Sequence, residues 1–428
     1  MTPFSGGTGS IYDPFLIANR SDFESMVDEE YYSKGYCFKQ IADVDFKSIF
    51  WGPYTTKDIF TGFFDGNNKI ISNLTTDFGL FGNVSNSGII RVNIQNGAAT
   101  NINDNSLFGF VAAQCHGGSY VAGCNVSGTA TKTYSGAGAG TSGVGGICGG
   151  VEESRLEYNY ANLISNSVLV GGIIGSAQNS EISACHSSGT LTSRCRAGGI
   201  IGLAVNAYIH DCYSDCDIRG GQSYSFIGGK GGIVGQTSLI GNHLNYGASA
   251  IYRCYATGNI TETGGSYDES CAGILGNIKR GADTEYFNSL QAVRLCVALN
   301  ETVYSTDKAG GVISTYSAIP ETSIPNPAVT GIYQRDDMQI SGALGVNGID
   351  ISSSTYHNQS FWEDTLSFDF GDIWYWNSEA QLPKIRPFSY TYPSPPYVPI
   401  IHDIYEGIYP TTKPGTFTGV YGILPNQE

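Results

Sequence analysis

The sequence predicts an all-β fold, a parallel β-helix with stacked coils, and three observations predict it. The first is a five-residue phrase that returns five times. It reads Gly145-Gly146-Ile147-Cys148-Gly149, Gly171-Gly172-Ile173-Ile174-Gly175, Gly198-Gly199-Ile200-Ile201-Gly202, Gly231-Gly232-Ile233-Val234-Gly235 and Ala272-Gly273-Ile274-Leu275-Gly276. Fainter copies stand upstream at Gly79-Leu80-Phe81-Gly82 and Ser106-Leu107-Phe108-Gly109, and a decayed one comes later at Gly310-Gly311-Val312-Ile313. The second observation is the spacing. Counted on the second glycine, it is 26, 27, 33 and then 41 residues. A period in the twenties that grows by insertion marks a solenoid of stacked units. The third is a second half to each phrase. Ser183-Ala184-Cys185-His186 precedes Gly189-Thr190-Leu191, His210-Asp211-Cys212-Tyr213 precedes Asp217-Ile218, and Tyr252-Arg253-Cys254-Tyr255 precedes Gly258-Asn259-Ile260. One unit is therefore three short strands separated by Gly, Asn and Ser bends. Glycine serves bends that need positive φ or close approach between coils.

In chain order, residues 1–59 read as a lead-in strand and cap. Ser21-Asp22-Phe23-Glu24 has the form of a capping box, which predicts a short helix to about Glu30 over the open end of the solenoid. Gly35 to Phe46 reads as a strand with Ile41, Val44 and Phe46 as core candidates. Residues 60–318 read as the stacked coils, interrupted by Gly-rich inserts. Three prolines between Ile319 and Pro327 mark a change of character, and 319–388 reads as a C-terminal cover of the same core. Residues 389–428 carry seven prolines and six tyrosines. Proline at this density suits an extended arm, and tyrosine suits docking, so Tyr390, Tyr392, Tyr397, Tyr405 and Tyr409 are the candidate assembly residues.

The pattern resembles the GLUG-motif family of β-helical repeats: Gly-Gly-Leu-Val-Gly, a spacer, then Ile-x-Asn-Cys-Tyr and Gly-x-Val. Ile209-His210-Asp211-Cys212-Tyr213 and Ile251-Tyr252-Arg253-Cys254-Tyr255 carry the resemblance, which covers about the first two thirds of the chain. Gly9 to Ile17 and Phe60 to Ile70 resemble the family's lead-in strand and first full coil. The resemblance implies a right-handed helix. It also implies a setting among bacterial surface proteins, adhesin-like proteins and the non-catalytic parts of secreted proteases.

Composition narrows the partners. A formal net charge of −16 argues against nucleic acid, since phosphate contacts need clustered Lys and Arg. No apolar run approaches membrane-spanning length. Residues 1–15 lack a basic start and an apolar run. That fits either assembly in a cytoplasm or a mature secreted form. Eleven cysteines is an odd number. Repeat alignment puts Cys124, Cys185, Cys212, Cys254 and Cys296 at one position of the unit, with Asn93 and Asn159 there in other coils. The expectation is an interior column of small, reduced side chains rather than disulfides or a metal string.

Chemistry finds little footing. Polysaccharide cleavage needs paired carboxylates. Asp215 and Asp217 are the best local pair, and repeat alignment places them astride a bend. Glu152-Glu153 and Asp336-Asp337 are adjacent acids on turns. His210, Cys212 and Cys216 suggest a metal cluster, with His210 on the same side of the strand as Cys212, but a fourth ligand is missing. The expectation is no catalytic residue, no cofactor and no metal. The expected function is structural or adhesive, with other structural subunits as partners and cell-surface glycan as a second partner class. A bacteriophage virion component, assembled in host cytoplasm and held by the arm, leads. A bacterial surface adhesin or filament subunit is the alternative, and a polysaccharide-binding or polysaccharide-cleaving β-helix is third.

Overall fold

A computed structural model describes residues 3–52, 59–103, 106–132, 142–220, 228–238, 249–263, 270–279, 292–314 and 329–390. These residues form a parallel β-helix of three sheets. The first sheet stacks 11 strands, from Phe15–Ile17 to Val329–Thr330, and the third stacks eight, from Ile59–Phe60 to Leu275–Lys279. The second runs from Val44–Asp45 to Ile349–Ile351 and holds the longest strands, Tyr160–Gly171 and His186–Gly198.

Register explains the core. From the strand Phe63–Asp65 onward the middle residue of each three-residue strand in the first sheet points inward, and in register with Phe38 below them Phe64, Ile89, Val121, Leu156 and Ile182 form one column. Each is fully buried. The interior starts aromatic and becomes aliphatic. Phe23, on the helix Arg20–Met26, packs its ring on Phe46, Trp51 and Phe64 and closes the N-terminal end. The cap residue of that helix is Asn19, whose side chain accepts from Asp22 N; the helix stops at Met26, well short of Glu30. Ile41 is 40% exposed rather than core, because it sits on the corner after the strand Cys37–Gln40.

The glycine phrase is a steric requirement. A Cβ on Gly171 would lie 1.9 Å from Ile174 O, across a tight arch inside one coil. A Cβ on Gly199 would lie 2.1 Å from Gly232 O of the next coil. Close approach, not positive φ, fixes these glycines. Positive φ is supplied elsewhere: at the corner leaving the first sheet by Arg91, Gly123, Tyr158, Ala184, Asp211, Arg253, Leu295 and Gly331, all with φ between 48° and 63°, and at the corner leaving the third sheet by Asn86, Glu153, Asn179 and Asn206, with φ of 48° or 49°. A left-handed non-glycine residue costs roughly 1–2 kcal/mol, and the stacked coils hold Arg91, Tyr158, Ala184, Asp211, Arg253 and Leu295 in it along this one edge.

The coils continue past residue 318. Val329–Thr330, Tyr333–Arg335, Gln339–Leu344 and Ile349–Ile351 extend the sheets. Beyond Ile351 the chain leaves the solenoid. The helical turns Ser353–Tyr356 and Phe361–Thr365 and the antiparallel hairpin Trp374–Asn377 with Leu382–Ile385 do not cap its end. They lie against its side. They build a second core of Tyr213, Tyr255, Val297, Trp362, Leu366 and Trp374, separate from the interior.

Candidate functional site

The left-handed corner divides the chain into an inward and an outward column. The inward residue comes directly after the corner. Hydrogen bonds between coils fix that column as Val92, Cys124, Asn159, Cys185, Cys212, Cys254 and Cys296: each carbonyl accepts from the backbone N–H of the residue after its counterpart in the next coil. Asn93 is one residue out of place. It pairs with Asn125, not Cys124, because Val92 fills the interior position in its coil. None of the eleven cysteines forms a disulfide, and all are buried. The column thiols have a local task. Cys185, Cys212 and Cys296 each donate to the carbonyl two residues back, at 3.2 Å, and Cys254 does so at 3.3 Å. Each of those carbonyls also accepts the backbone N–H of the preceding coil's corner residue, and the thiol adds a second, weak donor without filling the core. Asn159 serves the column with an amide, donating to Val121 O and accepting from Cys124 N.

The outward column stands one residue further on: Tyr160, His186, Tyr213 and Tyr255. Their rings stack along the axis. His186 and Tyr213 are 3.8 Å apart, and Tyr213 and Tyr255 are 4.9 Å apart and parallel to 5°. The cover seals this stack. Tyr255 Oη donates to Pro383 O at 2.6 Å, Lys384 Nζ sits 4.3 Å over the Tyr213 ring, and Trp374 packs on both tyrosines.

Beside the stack runs an ionic ladder across successive coils. Tyr120 donates to Glu157, and Arg155 pairs with Glu157 and reaches Glu181. His210 donates to Glu181 at 3.1 Å and to Asp211 at 2.7 Å. Arg253 then grips both oxygens of Asp211, and Trp374 Nε1 donates to Asp211 at 3.0 Å. Three carboxylates face two guanidiniums and one imidazole, so the ladder is neutral when His210 is charged. Burial opposes that charge, but hydrogen bonds to Asp211 and Glu181 outweigh it and raise His210 to about 9. Burial likewise pushes Asp211 up, and the bonds from His210 and Arg253 bring it down to about 2.

The suspected catalytic pair dissolves into this scaffold. Asp215 and Asp217 lie on one unbroken strand, Tyr213–Gly220, with Cys216 buried between them. They do not straddle a bend. Asp215 accepts from His186, Lys384 and Thr257, and Asp217 accepts from the backbone of Asn259. Burial raises Asp215, but the His186 hydrogen bond and the Lys384 charge hold it at about 2. A general acid needs the opposite shift. His210 and Cys212 do not share a side, because the left-handed Asp211 between them sends His210 out and Cys212 in. No metal-binding cluster occurs among the described residues. Glu153 sits on a corner with φ 48°, and Asp337 is paired with Arg335. Of the arm residues, Tyr390 lies against Phe63 and Arg91. Tyr392, Tyr397, Tyr405 and Tyr409 lie outside the described residues.

The sequence reasoning passed over the outward column, the ladder and the cover's Trp362, Trp374 and Lys384. One signal was available: an aromatic residue comes after the inward column in four consecutive coils, at Tyr160, His186, Tyr213 and Tyr255.

A family model for the GLUG motif matches residues 166–192. The chain carries a GLUG motif. The matched stretch spans one glycine arch, two left-handed corners at Asn179 and Ala184 and the start of the next strand, so the GLUG unit is one full coil. Among solved structures, a candidate immunoglobulin A1 protease from Bacteroides ovatus is similar at 16% identity and TM-score 0.42, covering 90% of this chain and 96% of that one. An IgA1 protease is similar at 14% identity and TM-score 0.51. That match covers 89% of this chain and 25% of the other, so this chain spans a quarter of that protein's length. At such identities the likeness shows the fold alone. No curated protein matches the chain.

Proposed function

We propose that this chain is a non-catalytic structural and adhesive β-helix of the bacterial surface class. It is a rod that other protein subunits join through its C-terminal arm, with cell-surface glycan as a second partner class. The observation that carries this reading is the closure of its ionic groups. Asp211, Asp215, Glu181 and His210 all spend their hydrogen bonds on neighbouring coils or on the cover. Such groups hold a scaffold and leave no acid or base poised for substrate. The proline- and tyrosine-rich segment 389–428 adds the means of attachment. The virion setting expected from the sequence gains no support from the similar structures, one of which is bacterial. A second reading keeps the same chemistry: the rod is the non-catalytic part of a secreted protease. It is favoured by the likeness to an IgA1 protease of which the match covers a quarter.

Sedimentation of the full chain, and of a chain ending after Tyr397, tests the arm. The full chain should self-associate or join larger particles. The shortened one should stay monomeric with an unchanged melting curve. Equal association of the two would remove the arm from the proposal. Incubation with polysaccharides and with immunoglobulin A1 tests the rest. Cleavage by the wild-type chain that Asp215→Asn abolishes would make it an enzyme.

A further inference from the structure

The outward ring column stops abruptly at its N-terminal end. Tyr160, His186, Tyr213 and Tyr255 hold one position in four coils, and the cover seals the column at Tyr213 and Tyr255. At the other end Tyr160 stacks on His186, 4.8 Å between centroids, and remains partly exposed. The preceding coil continues the sheet in register through the strand Asn125–Lys132, and there the column carries Asn125 instead of a ring. Asn125 is exposed. A short amide standing where the next four coils have a ring leaves one face of Tyr160 with no ring upon it among the described residues. The result is a slot one coil deep. A coil rises roughly 4.8 Å. Three ring pairs in this column lie 3.8, 4.8 and 4.9 Å apart, so the slot has room for one ring parallel to Tyr160.

The edges of the slot are polar and uncharged. Ser127 follows Asn125 on the same outward side, and Asn162, its partner in register, follows Tyr160 and is exposed. Tyr160 Oη and Ser188 Oγ share a hydrogen bond at 3.0 Å, which holds the ring in place. Ile164, further along the strand, is 56% exposed and adds apolar area. Amide and hydroxyl groups both donate and accept. That set matches other hydroxyl groups. An anion would call for Lys or Arg, and a metal cation for carboxylates. A protein partner would call for a larger apolar centre than one ring and one isoleucine. A sugar ring has apolar C–H groups on its face and hydroxyls on its rim. We infer that the slot between Tyr160 and Asn125 binds one ring of a neutral glycan, with its C–H face on Tyr160 and its hydroxyls on Asn125, Ser127 and Asn162. This rests on the reading of cell-surface glycan as a second partner class, gives that class a place on the rod, and is independent of the arm. Binding here requires no free acid or base, and Asp215 lies two coils away from Tyr160.

Saturation-transfer NMR on the full chain tests the slot, with neutral cellohexaose and mannohexaose and an anionic chondroitin sulfate hexasaccharide as probes. At least one neutral probe should bind, and more tightly than the sulfated one. Asn125→Tyr extends the ring stack into the slot and should weaken that binding about ten-fold, with the melting curve unchanged or raised. Asn162→Ala alters an exposed side chain, keeps the fold, and should weaken it about five-fold. Tyr12→Ala removes an aromatic ring that is 79% exposed elsewhere on the rod and should leave binding unchanged. A neutral probe that binds wild type and both slot variants equally would overturn the inference while keeping glycan as a partner class. Equal weakening by Tyr12→Ala, or a preference for the sulfated probe, would overturn it too. Binding of neither neutral probe would overturn it and remove glycan from the proposed partners, and the sedimentation test of the arm would stand unaffected.

Discussion

The inward column and the outward column lie one residue apart in sequence and obey different rules. Inside, Cys185, Cys212, Cys254 and Cys296 meet their own kind one coil away and their own carbonyl two residues back. Outside, Tyr213 and Tyr255 meet a segment more than a hundred residues later in the chain, through Pro383 and Trp374. Inside, stability is local and repeats with the coil. Outside, it is long-range and occurs once. The first kind of packing writes itself into the sequence as a period, and the second does not.

The largest expected effect lies on the repeating side. Gly199→Val would set a Cβ 2.1 Å from Gly232 O and 2.1 Å from Ser214 Oγ. The carbonyl belongs to a backbone held by the coils on both sides, so no rotamer change relieves the clash. Overpacking a core costs about 1–3 kcal/mol where side chains can yield; here the backbone itself must move. The variant should fail to give soluble folded protein, judged by far-ultraviolet circular dichroism after refolding. A cooperative melt near that of the wild type would mean that the arches are looser than the stacked carbonyls indicate.

That asymmetry also explains how much the sequence disclosed. The glycine arches, the three-strand coil and the cysteine and asparagine positions from Cys124 onward repeat closely enough to align by eye. Asn93 misleads because its residue type matches Asn159, whereas the register is set by the interior, where Val92 fits. The corner was hidden for a different reason. Arg91, Tyr158, Asp211 and Arg253 adopt φ near 50° that propensity reserves for Gly and Asn. Stacking imposes the conformation on whatever residue arrives there. The cover was hidden because Trp374 and Asp211 are 163 residues apart and neither repeats.

A middle-sized effect should fall on the outward side. Asp211→Ala would strand Arg253, His210 and the Trp374 indole N–H around a fully buried gap. Removing one partner of a buried pair costs about 3–5 kcal/mol. Three of the four tryptophans, Trp362, Trp374 and Trp376, belong to the cover. Tryptophan fluorescence should therefore report early loss of the cover in denaturant, while circular dichroism reports a later loss of the coils. Coincident transitions, displaced together, would show that cover and solenoid fold as one unit and would erase the distinction drawn above.

The smallest effect should separate the two columns by pH. His210 is faced by Glu181 and Asp211, with Arg253 and Arg155 one partner further away and Tyr208 stacked on its ring. Its folded pKa is raised to about 9, against roughly 6.5 in an unfolded chain. A raised value means that the folded state binds the proton more tightly. The stabilisation is complete below about pH 6.5 and drains away as pH rises toward about 9. His186 acts in the opposite sense, because burial lowers its pKa and protonation opposes folding, but that loss appears only below about pH 6.5. Burial raises Cys124 in the interior to about 12, so this thiol favours unfolding only above roughly pH 8.5, where the unfolded chain begins to release its proton. Between about pH 6.5 and 8, then, the slope of stability belongs to the outward ladder. Urea midpoints should fall across that window in the wild-type chain and stay level in His210→Gln, which keeps a donor but cannot titrate. A wild-type midpoint that is flat across the window, or an equal slope in His210→Gln, would mean that the ladder does not hold the imidazole charged.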